Sequence, residues 1–546
     1  VFVSALQAGG FAREKERTSP FRFADVTAES GLDHAFRGAF NHAIAWGDFD
    51  GDGRPDLFLG NFADRSPRLG MKHAPGNMLL RQTAGGRFER HAAPPIEIAG
   101  RCSGAVFADL DNDGRLDLIV TSNTTSKPGK DDYRTAAKAQ GSKLYRNDGN
   151  GKFVDVSAAS GACPASLIRC RDIGVFDYDG DGLLDLLILQ DKGIDPEDKV
   201  PGVRLFRNLG GFRFEETTAK AGLTPDLWGT GIAVADLNGD GRPDFHLCGV
   251  NRLYLSQPDK TYREAKELRP LFVHEGKGLD WTTGAVFGDL DLDGDLDLVI
   301  GCHPYEAPAR VHVFLNQGLK AGVPQFREIT KDLGIPPLPQ KAPHPEIQDF
   351  DNDGIPDLYW SCFFAEKDKR WPFICRGLGV KDGLPRFAVP RVPEFDLEML
   401  KTNAPPAKGV GMIYYVNGPA VDYDGDGRLD FCCGIWPDEP SRLFRNDTKA
   451  GNWLQVTVLG RKMNRMGVGA QVRVFRARKD DTEKKVLVGF QEITLNGGYS
   501  SGRTAIAHFG LGQVTSCDVE VTIPGERNPV VQRNVRVNQS LQVREP

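Results

Sequence analysis

One nine-residue pattern, D-x-[DN]-x-D-G-x-x-D, occurs seven times in the chain, and a recurring unit constrains the architecture more than any single segment does. The copies begin at Asp48, Asp109, Asp177, Asp236, Asp289, Asp349 and Asp422, with spacings of 53 to 73 residues. Each follows a short apolar stretch such as GAVFAD or GIAVAD and precedes another such as DLIV or DLLIL, runs with the length and composition of buried strands. The aspartates therefore occupy hairpin loops. A third strand recurs as KLYRN at 143, RLFRN at 204, RLYLS at 252, VFLN at 313 and RLFRN at 442, and a fourth as FVDVS from Phe153, FEETT from Phe214 and FREIT from Phe326. Four antiparallel strands per roughly 60 residues, repeated radially, predict an all-β seven-bladed β-propeller. The seventh unit stops at its third strand, whereas FADVT from Phe23 to Thr27 has the fourth-strand pattern with no unit before it. The N-terminal strand is therefore expected to complete the last blade, leaving no open edge. The aromatic residues of these patterns are read as packing between blades.

The loops call for a cation. Oxygen donors at positions 1, 3, 5 and 9, a backbone carbonyl at 7 and glycine at 6 suit a hard ion that takes six to eight oxygens. The expected ligands are Asp48, Asp50, Asp52 and Asp56; Asp109, Asp111, Asp113 and Asp117; Asp177, Asp179, Asp181 and Asp185; Asp236, Asn238, Asp240 and Asp244; Asp289, Asp291, Asp293 and Asp297; Asp349, Asp351, Asp353 and Asp357; and Asp422, Asp424, Asp426 and Asp430. Up to seven Ca²⁺ are expected. Magnesium demands a tighter octahedron, and zinc would want His or Cys, which none of the loops contains. The pattern is not an EF-hand, because position 12 of the first loop is Leu59 and the flanks read as strands. An ordinary Asp-Gly turn needs one or two such residues. Two like charges about 4 Å apart repel by roughly 4 kcal/mol at an effective dielectric of about 20, so four in one turn are costly without a counter-ion. Seven Ca²⁺ would move the formal charge from −6 by 14 units to +8. The metal is expected to be mainly structural.

At 546 residues, with 40% hydrophobic and 26% charged content, the chain reads as a soluble globular protein of more than one domain or a repeat array. Basic residues are dispersed, which argues against nucleic acid as a partner. No window approaches the roughly 18 apolar residues of a membrane span. The first residues, VFVSALQA before GG, look like the tail of a signal segment, so residues 1–20 are read as a leader. Ten cysteines leave the pairing open: bridges between neighbouring units, a Cys163–Cys170 pair, or buried free thiols.

Residues 21–446 resemble the FG-GAP/VCBS repeats of integrin α-like propellers, and the resemblance implies calcium in the seven loops and ligand binding on the face opposite them. NWLQVTVLGRKMNRMGVGAQVRVF from Asn452, GYSSGRTAIAHFGLGQ from Gly498 and VEVTIPGE from Val519 resemble the ASPIC/UnbV domain of cartilage acidic protein-like and many bacterial secreted proteins. That family usually has Trp where Ile523 stands and G-Y-L-S-Q where GYSSG stands. Independently of the resemblance, residues 447–546 alternate apolar and polar positions between Gly-rich turns, which predicts a small β-sandwich or barrel.

Two features invite an enzyme reading. Gly498 to Gly502 match G-x-S-x-G, but that nucleophile elbow needs a strand-to-helix turn and nothing nearby reads as helix, so the match is taken as coincidental. Arg171, Asp172, His303, His344 and Glu346 fall on connections leading out of the blades; they could form a polar cluster near the channel mouth, or be ordinary solvated loop residues. The long connections 122–142, 191–202, 303–310, 363–371 and 390–415 are expected on the face opposite the aspartate loops. The sequence thus reads as a secreted, cell-surface or periplasmic calcium-binding propeller that recognises an extracellular protein or glycan without catalysis, with oligomeric state open. The alternative is a calcium-dependent extracellular carbohydrate-active enzyme of lyase or dehydratase type.

Overall fold

The computed structural model describes residues 19–63, 75–124, 141–164, 167–191, 202–272, 281–404, 406–434, 440–480 and 482–546. The leader and the connections 125–140 and 192–201 lie outside the described residues. The chain is nearly all β, with 47% strand and 5% helix.

Among the described residues, seven antiparallel sheets follow one another along the chain, here called sheets 1 to 7. Sheet 1 contains Asn41–Gly47, Asp56–Asn61, Met78–Thr83 and Arg87–His91. Sheets 2 to 6 repeat this order from Cys102, Cys170, Gly229, Thr282 and Pro345. The first two strands of sheet 1 are buried on both faces, which explains their continuous apolar runs, whereas Arg87–His91 on the outside is largely exposed. Packing between consecutive sheets supplies one apolar cluster per junction. Val106 and Ile119 of sheet 2 meet Ile173 and Leu186 of sheet 3 in this way. Ile44, Trp46 and Leu57 of sheet 1 meet Cys432 and Leu443 of sheet 7, so the ring closes.

Sheet 7 is assembled from both ends of this region. Val416–Asn417, Phe431–Gly434 and Arg442–Asn446 come from the seventh repeat, and Phe23–Asp25 adds the outer strand with Phe23 opposite Asn446 and Asp25 opposite Phe444. The remaining strands form two sheets, one of Ala507–Gly512, Asn452–Leu459 and Gln539–Arg544, the other of Leu487–Glu492, Gln471–Arg476, Ser516–Thr522 and Val530–Arg536. Leu454, Val456, Val472, Val474, Val519 and Val521 fill the space between them, as in a β-sandwich.

Of the three alternatives left open for the cysteines the last holds: all ten are free, and nine are buried. Two expectations about the connections require correction. The connection 363–371 is mostly strand: sheet 6 extends as a long hairpin, Asp357–Glu366 and Lys369–Lys381, with Trp371 stacked on Phe364 at 5.5 Å. The segment 390–415 contains the helix Leu397–Thr402 and a strand, Gly411–Tyr414, that pairs with Asp357–Glu366. The helix starts where the Asp396 side chain accepts the N–H groups of Glu398 and Met399, an ordinary N-cap.

The C-terminal sandwich docks on the aspartate-loop face. The Arg465 N–H donates to Asn112 Oδ1 at 2.8 Å, the Asp236 N–H to Glu492 Oε2 at 2.9 Å, and Gln455 Nε2 to Asp422 Oδ2 at 2.9 Å. At Gly182, φ +86°, an added Cβ would strike the Lys462 carbonyl, so only glycine permits this approach. From the sandwich, residues 496–503 enter the central channel lined by the first strands. Ser501–Gly502 pair in parallel with Ile44–Ala45, the Ala285 N–H donates to the Gly498 carbonyl at 3.2 Å, and Asn496 Nδ2 donates to the Ile173 carbonyl.

Candidate functional site

The seven aspartate loops share one geometry. The first carboxylate accepts the N–H of the glycine at position 6 at 2.6–3.1 Å in every loop, which folds the turn around it. Those glycines have φ between +77° and +95°, a left-handed conformation that a side chain would strain. The ninth carboxylate opens the second strand. One oxygen accepts the N–H of position 2 at 2.8–3.2 Å, and the other accepts an N–H from the third-strand region of the same sheet at 2.7–2.9 Å.

The donor set fits a hard cation. Oxygens of Asp48, Asp50 and Asp56 lie within 4.8 Å of one another, as do those of Asp109, Asp111 and Asp117, of Asp177, Asp179 and Asp185, of Asp289, Asp291 and Asp297, and of Asp349, Asp351 and Asp353. One oxygen of the third-position aspartates Asp111, Asp179, Asp291 and Asp351 is buried without a hydrogen-bond partner, a costly arrangement unless an ion completes it. Burial, reinforced by neighbouring carboxylates, pushes Asp56 up to about 7, Asp117 and Asp289 to about 8, and Asp109, Asp177 and Asp422 to about 6. A nearby cation reverses that preference and holds such groups ionised at neutral pH. In four loops an arginine at position 7 pairs with the fifth-position aspartate of its own loop: Arg54–Asp52, Arg115–Asp113, Arg242–Asp240 and Arg428–Asp426.

Sequence reasoning missed the asparagine that ends several third strands. Asn147 Nδ2 donates to the Phe49 carbonyl at 2.8 Å, Asn208 Nδ2 to the Leu110 carbonyl at 2.7 Å, and Asn446 Nδ2 to the Phe350 carbonyl at 2.8 Å. Each bond runs from one sheet to the aspartate loop of the preceding sheet, clasping neighbours together. The signal was present as the terminal Asn of KLYRN and RLFRN. Asn208→Ala leaves two buried carbonyls, of Leu110 and Leu184, without this donor. It is expected to cost about 1–3 kcal/mol in urea unfolding.

The polar residues singled out from sequence are brought together around the channel; Arg171, Asp172 and Glu346 lie on strands and not on solvated connections, whereas His303 and His344 lie on the connections just after Asp297–Cys302 and just before Pro345–Gln348. Arg171 and Asp172 belong to the first strand of sheet 3, and Glu346 to that of sheet 6. First strands of sheets 1 to 5 carry register shifts between Asn41 and Ala43, Cys102 and Gly104, Cys170 and Asp172, Gly229 and Ile232, and Thr282 and Gly284. Such bulges re-aim side chains, here including His42 and Arg171. Asp172 is buried and its carboxylate accepts the N–H groups of Ile173, Ile232 and Ser500; burial outweighs them and raises it well above the usual carboxylate range. His344 Nε2 lies 2.8 Å from Glu346 Oε1, and Arg503 Nη2 lies 3.0 Å from Glu346 Oε2.

The G-x-S-x-G match turns out to be the tip of the segment in the channel. Gly498 and Ser500 adopt φ of +78° and +58° to make the turn. Ser501 Oγ lies 3.4 Å from His344 Nδ1, which with Glu346 gives the order of a serine hydrolase triad. The chemistry does not follow, because Ser501, His344 and Glu346 are 1%, 0% and 0% exposed and the Ser501 hydroxyl already donates to the Gly497 carbonyl at 2.7 Å. The array fastens the segment. At the mouth, half-buried His303 packs against exposed Tyr305 and buried Tyr414, and Lys341, itself 5% exposed, places Nζ 5.7 and 5.2 Å from those two rings.

Comparison with known proteins agrees with the repeat pattern. The FG-GAP-like repeat matches residues 48–120, 129–188, 177–247 and 289–360, and the family described as ASPIC and UnbV matches residues 460–546. Cartilage acidic protein 1 of Homo sapiens is 24% identical over 514 residues, 91% of this chain and 70% of the relative. The protein of the same name from Xenopus tropicalis is 25% identical over 509 residues, 89% of this chain and 70% of its own length. Among solved structures, the V. cholerae biofilm matrix protein Bap1 aligns over 92% of this chain and 68% of its own at 12% identity, with a TM-score of 0.31 that carries no detail.

Proposed function

Since the chain consists of FG-GAP-like repeats followed by an ASPIC and UnbV domain, we propose that it is a secreted or surface-exposed calcium-binding propeller that recognises an extracellular protein or glycan, with no catalytic step of its own. The observation that carries this reading is the repeated donor set, in which buried third-position carboxylate oxygens are left for an ion to complete. Asp48, Asp50, Asp52 and Asp56 and their counterparts in the other six loops would hold Ca²⁺, which supplies charge compensation that fixes the turn. The relatives named for cartilage support an extracellular setting.

Recognition is assigned to the mouth opposite the aspartate loops. The sandwich covers part of the loop face through the bonds to Asn112, Asp236 and Asp422, whereas Tyr305 at the mouth is 51% exposed. Arg171, Asp172, His303, His344 and Glu346 would then divide into two roles, with Arg171 and His303 facing the ligand and the other three anchoring residues 496–503. Metal analysis of protein dialysed against calcium and then desalted is the direct test. Several equivalents of Ca²⁺ per chain are expected, with Asp289→Asn and Asp291→Asn together removing about one; retention of none sinks the reading.

A further inference from the structure

An arc of aromatic rings leads across sheets 4 to 6 into a group of cations at the channel mouth. Trp228 and Trp281 have centroids 6.2 Å apart, Trp281 meets Tyr305 edge-on at 6.2 Å, and His303 lies 5.1 Å from Tyr305. Trp228, Trp281 and His303 are half-buried and Tyr305 is exposed, so these rings are not core packing. At the inner end, Lys341 lies near the Tyr305 and Tyr414 rings, and the Arg171 guanidinium sits close enough to Tyr305 and Tyr499 to interact electrostatically. Burial, together with the charges of Lys341, Arg171 and His42, holds His303 well below its ordinary range, a sign that these cations face one another. Arg171 is paired with Asp191 through bonds of 2.8 and 2.6 Å, which fixes its orientation.

We propose that this mouth binds an anionic glycan, with the ring face of a uronate-type sugar stacked on Tyr305 and Trp281 and its carboxylate directed to Lys341 and Arg171. A uronate carries an apolar C–H face and a carboxylate on one rigid ring, which matches aromatic surface and cations lying side by side. An acidic peptide carries its carboxylates on flexible stems and has no such face to stack, so it matches only half of the arrangement. With seven Ca²⁺ bound the formal charge moves from −6 by 14 units to +8, a sign that favours anions, and the cation group at the mouth adds to it locally. Tyr499 of the C-terminal domain lies buried 6.0 Å from His42 and within electrostatic reach of Arg171. The assignment deepens the recognition role proposed above and rests on it.

Calorimetric titration of the calcium-loaded full chain with a hyaluronan octasaccharide tests the proposal, with the carboxyl-reduced octasaccharide and poly-glutamate as controls. Binding is expected to weaken at least roughly tenfold on carboxyl reduction and on Lys341→Gln, and about threefold or more for Tyr305→Ala, the exposed residue whose loss spares the core. Each variant should keep the melting temperature and calcium content of the parent. Equal affinity for the reduced sugar, tighter binding of poly-glutamate, no binding at all, or an unaffected Tyr305→Ala would each overturn the glycan assignment. Calcium content read on the same samples decides the underlying reading separately: loaded loops without sugar binding refute only the glycan.

Discussion

Removal of calcium by a chelator is expected to lower the melting temperature by roughly 10 °C or more, the largest effect anticipated for this protein. A site holding its ion at ten times the dissociation constant contributes about 1.4 kcal/mol, so seven such sites approach about 10 kcal/mol, comparable to the whole net stability of a typical domain. The structural reason is that the loops do three jobs at once. Their first and ninth carboxylates organise the turn and tie it to the third-strand region, the third-position oxygens of Asp111, Asp179, Asp291 and Asp351 are buried without partners, and Asn112, Asp236 and Asp422 receive the C-terminal sandwich. Without a cation, the clustered carboxylates repel or take up protons, and every one of those contacts is disturbed. Scanning calorimetry with and without chelator reads the outcome; coincident transitions would refute a structural role for the metal.

Arg503→Ala carries the second large effect. Glu346 is fully buried, and burial favours its neutral form; Arg503 and His344 outweigh that, so its carboxyl lies below the usual range. Deleting the arginine leaves a buried charge without its guanidinium partner, which is expected to cost about 3–5 kcal/mol. A depressed folded pKa means that the group stabilises the fold above its unfolded value and that this stabilisation is lost as pH falls through the folded one. The parent should therefore lose the contribution in acid, and the gap between parent and variant should narrow there. Urea unfolding at neutral and acidic pH measures both, and adding Glu346→Gln to Arg503→Ala is expected to recover part of the loss. A gap that does not change with pH would assign the effect to lost packing and not to the ion pair.

How much could be read from the sequence follows from the range of the interactions involved. The strand–loop–strand units were legible because their cause is local: apolar runs on both sides of a turn whose glycine must take positive φ, as Gly53 and Gly114 do. The closing strand was legible because Phe23–Thr27 repeats a pattern seen elsewhere in the chain. The segment in the channel was not legible, since Asn496 reaches Ile173 and Ser501 reaches His344 across separations of 323 and 157 residues, and no periodicity encodes such contacts. Arg171, Asp172 and Glu346 were misplaced for a related reason. Arg171 stands in a strand interrupted by a bulge, and a bulge depends on the paired strand, Asp185–Gln190, as much as on its own sequence.

The union of Phe23–Asp25 with Arg442–Asn446 also sets the order of events during synthesis. Asp25 and Arg442 are 417 residues apart, so the first repeats leave the ribosome long before their ring has a seventh sheet to close on. Early sheets must wait with one interface bare, and the loop-closure entropy is met only once the last repeat arrives. Residues 496–503 emerge later still and can seat only in a channel that already exists. Folding is thus staged, and the exposed flank of the unfinished ring is the surface on which misassembly between nascent chains would begin.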